Sequence, residues 1–249
     1  MAKIIAIHSF RGGTGKSNTA ANIAFLLANE GKRVGVIDTD IQSPGIHILF
    51  GLEGSEITTS LNDYLWHDRD ITQTAIDVTP NPAKEIDGCL FLIPSSTQPS
   101  QITRVLREGY DAKRLTQGLR QLVDGLSLDF LLIDTHPGLN EETLLSLIIS
   151  HALVIIMRPD KQDYEGTGIT VELSRQLEVP RMVIVVNKAP LILESEAIRV
   201  NVEKTYGCEV LAVIPHSDEM MNLASEAIFV EEYPDHPITT LYKDIAIRI

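Results

Sequence analysis

Residues 9–18 read Ser-Phe-Arg-Gly-Gly-Thr-Gly-Lys-Ser-Asn, and these are residue types that can hold a phosphate. Gly12, Gly13 and Gly15 lack a Cβ, so the chain around Thr14 can turn tightly and aim several backbone N–H groups at one anion. Lys16 can reach outer phosphate oxygens, and the Ser17 hydroxyl can bind a magnesium ion. Such a loop needs a strand before it and a helix after it, because the helix N-terminus turns its positive end on the same anion. Both are predicted: the apolar run Ile4–Ile7 precedes the loop, and a helix-like run from Asn18 to Ala28 follows it.

Carboxylates end two further apolar runs. Val36-Ile37-Asp38-Thr39-Asp40 places two at i and i+2, and Leu131-Leu132-Ile133-Asp134 places a third. Beside a bound triphosphate, a strand-end carboxylate can hold magnesium waters or orient an attacking water. Without the glycine loop, an Asp-x-Asp turn is equally an ordinary acidic turn. Val183-Ile184-Val185-Val186-Asn187-Lys188 ends another run in an amide and a cation.

The elements that must position these groups alternate along the chain. Strands are expected at 4–8, 34–38, 90–94, 130–134, 153–157, 182–187 and 210–214, all apolar throughout, as strands covered on both faces are. Helices are expected at 16–30, 111–126, 140–150, 163–177, 194–206, 217–226 and 237–247. This alternation predicts an α/β fold with a doubly wound, mostly parallel sheet, whose ligand lies at the carboxyl ends of the strands. Residues 52–88, rich in acidic and turn residues, read as an irregular surface excursion with one or two short helices. No linker or repeat divides the chain of 249 residues, so one domain over 1–249 is expected.

The strict phosphate-loop spacing has a glycine where Phe10 stands. Arg11-Gly12-Gly13-Thr14-Gly15-Lys16-Ser17 instead resembles the deviant Walker A loop of the MinD/ParA family of P-loop ATPases. Four more segments stand in the order of that family: Asp38-Thr39-Asp40, Asp134-Thr135-His136-Pro137-Gly138, Asn187-Lys188 and Ile214-Pro215. The resemblance spans residues 9–218. It implies a P-loop fold of the SIMIBI type and a slow, partner-stimulated ATPase that dimerises with Mg-ATP bound. It also implies a role in positioning or partitioning a cellular cargo or division machinery.

The resemblance assigns roles residue by residue. Arg11, Gly12, Gly13, Thr14, Gly15, Lys16, Ser17 and Asn18 would bind the phosphates. Asn187, Lys188 and Pro215 would flank the adenine, and Ser17, Asp38 and Asp134 would serve magnesium. Lys16, Asp40 and Arg11 would be catalytic, with Asp40 positioning the water. His136 is given no catalytic role. Arg11 replaces the family's signature lysine. Its planar fork could reach a partner's phosphates in trans, lie in cis, or block the tight dimer.

Charge and cysteine content narrow the partners. The net charge of −13 argues against a broad nucleic-acid footprint. From Ala189 onward four basic residues face eleven acidic ones, which disfavours DNA on that side. A basic stretch around Arg104, Arg107, Lys113, Arg114 and Arg120 is either a partner surface or a solvated face. No signal-peptide layout or membrane-spanning run is seen, so a cytoplasmic location is expected, with peripheral surface association open. The final helix carries Ile238, Leu241, Tyr242, Ile245 and Ile249 on one stripe and reads as docked on the domain rather than as a basic membrane anchor. A protein partner is the remaining expectation. Two alternatives stay open: a nucleotide-dependent scaffold with weak hydrolysis, and a metallochaperone-type relative. The second is disfavoured because Cys89 and Cys208 form no paired motif.

Overall fold

The computed structural model describes residues 2–67, 69–85 and 87–249. All seven expected strands form: β1 (Lys3–His8), β2 (Arg33–Asp38), β4 (Cys89–Ile93), β5 (Phe130–Asp134), β6 (Ala152–Met157), β7 (Met182–Ala189) and β8 (Glu209–Pro215). A two-residue strand, β3 (Ile76–Asp77), was not anticipated. It pairs antiparallel with β4 at the sheet edge, and every other pairing is parallel. The order is β3-β4-β2-β5-β1-β6-β7-β8, so the chain first builds one side of β1, returns to insert β5 beside β1, and then builds the other side through β6, β7 and β8. That reversal opens a crevice at the carboxyl end of β1, where the glycine loop lies.

The period of two along β1 builds both layers. Ile5 and Ile7 pack with α1 (Lys16–Ala28) and α12 (Pro237–Arg248) on one face. Ala6 faces the opposite side, in a cluster with residues of α8 (Lys161–Gln176) and α9 (Ser195–Tyr206), and Ile4 joins a second cluster there with α6 (Ala112–Gly125). The final helix docks as expected: Ile238, Tyr242, Ile245 and Ile249 are buried, and Arg248 pairs with Glu209 at 2.6 Å.

Two expectations need correction. Residues 52–88 do hold short elements: α3 (Leu61–Trp66), a 3-10 turn at Ile71–Thr74, β3 and α4 (Asn81–Lys84). They are less superficial than predicted, because Leu61, Tyr64, Leu65 and Ile71 are buried against β2, β4 and β5. A few large apolar side chains suffice to dock a segment whose composition is otherwise polar. Second, the helix expected at 217–226 stops early, as α10 (Asp218–Asn222), and Ala224 and Ser225 then take positive φ values of 50° and 64°.

The basic stretch divides between α5 (Pro99–Glu108) and α6. Arg104 lies over the Trp66 ring and pairs with Glu108, and Arg114 donates to the carbonyls of Tyr64 and His67. These two arginines hold the 52–88 segment in place, while Arg107, Lys113 and Arg120 remain exposed. Among the described residues no helix is long and apolar enough to cross a membrane.

Candidate functional site

Gly13 and Gly15 have φ values of 78° and 96°, in the left-handed region that side chains resist. Gly15 ends the loop as the N-cap of α1, whose first turn carries no acidic residue to compete with an anion. A Cβ on Gly15 would collide with the Asn187 amide, so this position needs glycine for space as well as for φ. The loop residues 12–18 line a cavity of about 370 Å³ together with Ser9, Asp40, Gly45, Leu49, Pro137, Lys188 and Ser225. A neighbouring cavity of about 330 Å³ shares Gly15, Asn18, Lys188 and Ser225 with it and is otherwise lined by Asn187, Pro215, His216, Ser217, Met220, Met221 and Ala224. The first holds the glycine loop with Lys16 and Ser17, and the second sets Pro215, Met220 and Met221 among polar residues such as Asn18, Asn187 and Ser217. Together they have the size and character for a triphosphate and a base.

Beneath the loop the sheet brings three charges together. Asp38 and Asp134 are register partners across β2 and β5, so both carboxylates emerge at one edge. The Lys16 ammonium, also buried, donates to Asp134 Oδ1 at 2.7 Å. Burial weakens the ammonium, but the charge and hydrogen bond of Asp134 outweigh it, and the Lys16 pKa ends raised. Burial, and then the nearby Asp134 charge, push the Asp38 carboxyl well above the usual range.

Two buried carboxylates competing for one ammonium are a site short of positive charge, and a divalent cation fits there. Among the described residues no group of three or more His, Cys, Asp or Glu forms a metal cage. Asp38 and Asp134 match the one or two carboxylates that magnesium takes, with water and phosphate completing its shell. Ser17 stands at the same cavity.

Asp40 lies on the turn after β2. Its N–H donates to Asp38 Oδ1 at 2.9 Å, and its Oδ1 accepts from Ser43 N at 3.2 Å and from His136 Nδ1 at 2.6 Å. His136 was passed over in the sequence; Asp40 is 96 residues away along the chain, so no local pattern reveals the pair.

Arg11 lies in cis. Its guanidinium pairs with Asp163 at 3.2 Å and Asp160 at 3.5 Å, both at the start of α8. Phe10 explains how the loop tolerates its missing glycine: the ring seats on Gly166 of α8, where any Cβ would clash with it. Asp160, Asp163 and Gly166 were not singled out in the sequence.

Asn187 and Lys188 line the base-sized cavity and also meet the loop. Asn187 Nδ2 donates to the Thr14 carbonyl at 2.8 Å, and its Oδ1 accepts from Lys188 N at 2.8 Å. Lys188 holds φ at 55° and donates from Nζ to the Gly13 carbonyl at 2.8 Å. Pro215 lines the base-sized cavity, and Ser225, which accepts from Asn18 at 3.3 Å, is an unanticipated member.

His8, at the end of β1, is fully buried below this cluster. The Thr135 hydroxyl donates to the Ile7 carbonyl, so it accepts from His8 Nδ1–H at 2.8 Å. Among the described residues His8 Nε2 has no hydrogen-bond partner. Burial, then the Lys16 charge, lower the His8 pKa from 6.5 to about 3. The folded state therefore resists a proton that the unfolded chain accepts. This contribution to stability is complete above pH 6.5 and is lost as pH falls toward 3. Across that interval His8→Gln should flatten the fall in unfolding free energy by up to about 1.4 kcal/mol per pH unit. Urea titrations at several pH values measure this, and equal slopes for the two proteins would refute the assignment.

A mostly parallel sheet carrying a glycine loop, with a lysine and two strand-end aspartates beneath it, defines a P-loop NTPase. Over residues 1–249 the chain matches a family model described as ParA: NUBPL iron-transfer P-loop NTPase. It belongs to the MinD/ParA family of P-loop NTPases. It is 29% identical over its whole length to 88% of an uncharacterized ATP-binding protein of Methanocaldococcus jannaschii. Over 98% of its length it is 28% identical to an iron-sulfur cluster carrier protein of Aquifex aeolicus, covering 66% of that protein. In fold it is similar to the septum site-determining protein MinD of Pyrococcus horikoshii, solved with Mg-ADP. The TM-score is 0.82 at 18% identity, over 100% of this chain and 96% of the other.

Proposed function

We propose that residues 1–249 act as one Mg-ATP-dependent, dimerising switch ATPase that positions or partitions a cellular cargo or division machinery. The observation that carries this reading is the buried Lys16–Asp134–Asp38 cluster under a phosphate-shaped loop, opening on a cavity that continues to a base-sized one. ATP would lay its base against Pro215, Asn187 and Lys188 and its phosphates over Gly12–Ser17, with Asn187 and Lys188 also bracing the loop. Lys16 would turn its ammonium from Asp134 to the outer phosphates. Ser17, Asp38 and Asp134 would hold magnesium, which neutralises charge on the β- and γ-phosphates. Asp40 would orient the attacking water.

Arg11 from each subunit would meet the partner's phosphates after leaving Asp160 and Asp163. Leu191, Ile192 and Leu193, which are 77%, 91% and 47% exposed just after β7 at the nucleotide edge, support a second copy covering this face. Hydrolysis would be slow, stimulated by a protein partner, in the cytoplasm. The net charge of −13 weighs against DNA as the bound surface.

Asp40→Ala is the test. It should keep Mg-ATP affinity within a few-fold and lower hydrolysis by at least about 100-fold, the scale of a lost water-orienting group. A variant that loses nucleotide yet turns over each bound ATP normally would reverse the assignment.

The iron-sulfur carrier among the relatives favours a second reading, as a cluster carrier. The cysteines here do not support it. Cys89 opens β4 and Cys208 directly precedes β8, both at the sheet edge opposite the phosphate loop. Six strand spacings separate β4 from β8, roughly 29 Å at about 4.8 Å each, so one chain cannot clasp a cluster between them.

A further inference from the structure

The contact between His136 and Asp40 joins two turns that the fold brings together and the hydrolytic reading leaves unused. Asp40 belongs to the turn after β2, and His136 to the turn after β5. The β5 turn is anchored from several sides. Thr135 N donates to the Ile7 carbonyl at 3.3 Å, Gly138 N to the Ser9 carbonyl at 3.2 Å, and Thr143 Oγ1 to the His136 carbonyl at 3.3 Å. The Asp40 turn is anchored as well: Thr39 N and Oγ1 both donate to the Asp134 carbonyl, at 2.9 and 3.0 Å, and the Ser95 hydroxyl donates to the Asp38 carbonyl at 2.8 Å. Among the described residues the Asp40 carboxylate itself is met only by Ser43 N and His136 Nδ1, so His136 pins it from a ring on the neighbouring turn.

The bond also selects an oxygen. Both Ser43 N and His136 Nδ1 donate to Oδ1, and among the described residues Oδ2 has no hydrogen-bond partner. Asp40 lines the phosphate cavity, so Oδ2 is the oxygen left for a water. A carboxylate hinged on one torsion gains little as a water-orienting group unless something fixes that torsion.

We propose that His136 is a positioning residue for hydrolysis, holding Asp40 Oδ1 so that Oδ2 faces the attacking water. It touches neither substrate nor reacting atoms. This rests on the ATPase reading above and on Asp40 as its water-orienting group. His136 thereby ties the two nucleotide-sensing turns, so a movement of either one disengages the carboxylate.

The test is a double-mutant cycle read by phosphate release in single turnover at saturating Mg-ATP, with affinity from calorimetry and folding from thermal melts. His136→Ala should slow hydrolysis at least 10-fold while affinity stays within 3-fold. His136→Asn, whose amide can donate from nearly the position of Nδ1, should retain hydrolysis within about 3-fold of the parent. In an Asp40→Asn background, His136→Ala should cost less than a further 2-fold, because its only route to the reaction is gone. An equal loss in both backgrounds, or normal hydrolysis by His136→Ala while Asp40→Asn is inactive, overturns the positioning role and leaves the ATPase reading standing. Normal hydrolysis by Asp40→Asn alone overturns the reading of the site, and the role of His136 falls with it.

Discussion

Lys16→Ala should lower the affinity for Mg-ATP at least 100-fold in calorimetry, a loss of about 3 kcal/mol for charge-assisted bonds to the outer phosphates. The variant has a second, separable defect. Lys16 is the ammonium that Asp134 and Asp38 share, and removing it leaves buried carboxylates uncompensated. Breaking a buried pair from one side costs about 3–5 kcal/mol. The sign of the pH dependence follows from Asp38, whose folded pKa is already raised. A carboxyl of that kind binds a proton more readily in the folded state, so its destabilising effect is full at high pH and fades as pH falls. The gap in melting temperature between Lys16→Ala and the parent should therefore narrow from pH 8 toward pH 5. Binding is measured where the melt shows a folded variant. Unchanged affinity in a folded Lys16→Ala protein would remove the basis of the phosphate reading.

The second large effect concerns assembly. With Asp40→Ala blocking hydrolysis, ATP should double the mass seen by light scattering, and adding Arg11→Ala should return it to the monomer. Two ATP molecules facing each other across a two-fold axis accumulate phosphate charge, and Arg11 stands on the loop that would meet them. Arg11→Lys should dimerise partly, since a point ammonium keeps the charge and loses the fork. The cis pairing with Asp160 and Asp163 sets the threshold. Arg11 and Asp160 are 37% and 44% exposed, and a pair so exposed is worth about 0–1 kcal/mol, whereas Asp163 is 3% exposed and is the firmer hold that bound phosphates must displace. Asp160→Asn keeps an amide that can still cap α8 and weakens the hold on Arg11. It should lower the ATP concentration for half-dimerisation by about 2- to 5-fold. A dimer that survives Arg11→Ala with normal turnover would make the arginine a bystander.

Much of the nucleotide edge is legible along the chain for a local reason. Parallel strands buried on both faces read as near-continuous apolar runs, so β1, β2 and β4 to β8 announce themselves within five to eight residues. The phosphate loop is equally local, because the φ values of Gly13 and Gly15 restrict residue type at those positions. Strand ends then mark Asp38, Asp134 and Asn187 without any knowledge of what lies beside them. The 52–88 segment shows the opposite case. Its docking depends on Leu61, Tyr64, Leu65 and Ile71 scattered among acids, and on Arg104 and Arg114 supplied from α5 and α6.

By itself, then, the sequence determined the sheet, the loop and the residue types available to a phosphate, because each is dictated by steric limits that act over a few residues. Which charges meet was decided only in three dimensions. Arg11 finds Asp163 from 152 positions away, Lys16 finds Asp134 from 118, and His136 finds Asp40 from 96. Coulomb attraction and hydrogen bonding depend on distance through space, and that distance is set by how parallel strands far apart in the chain come to lie side by side.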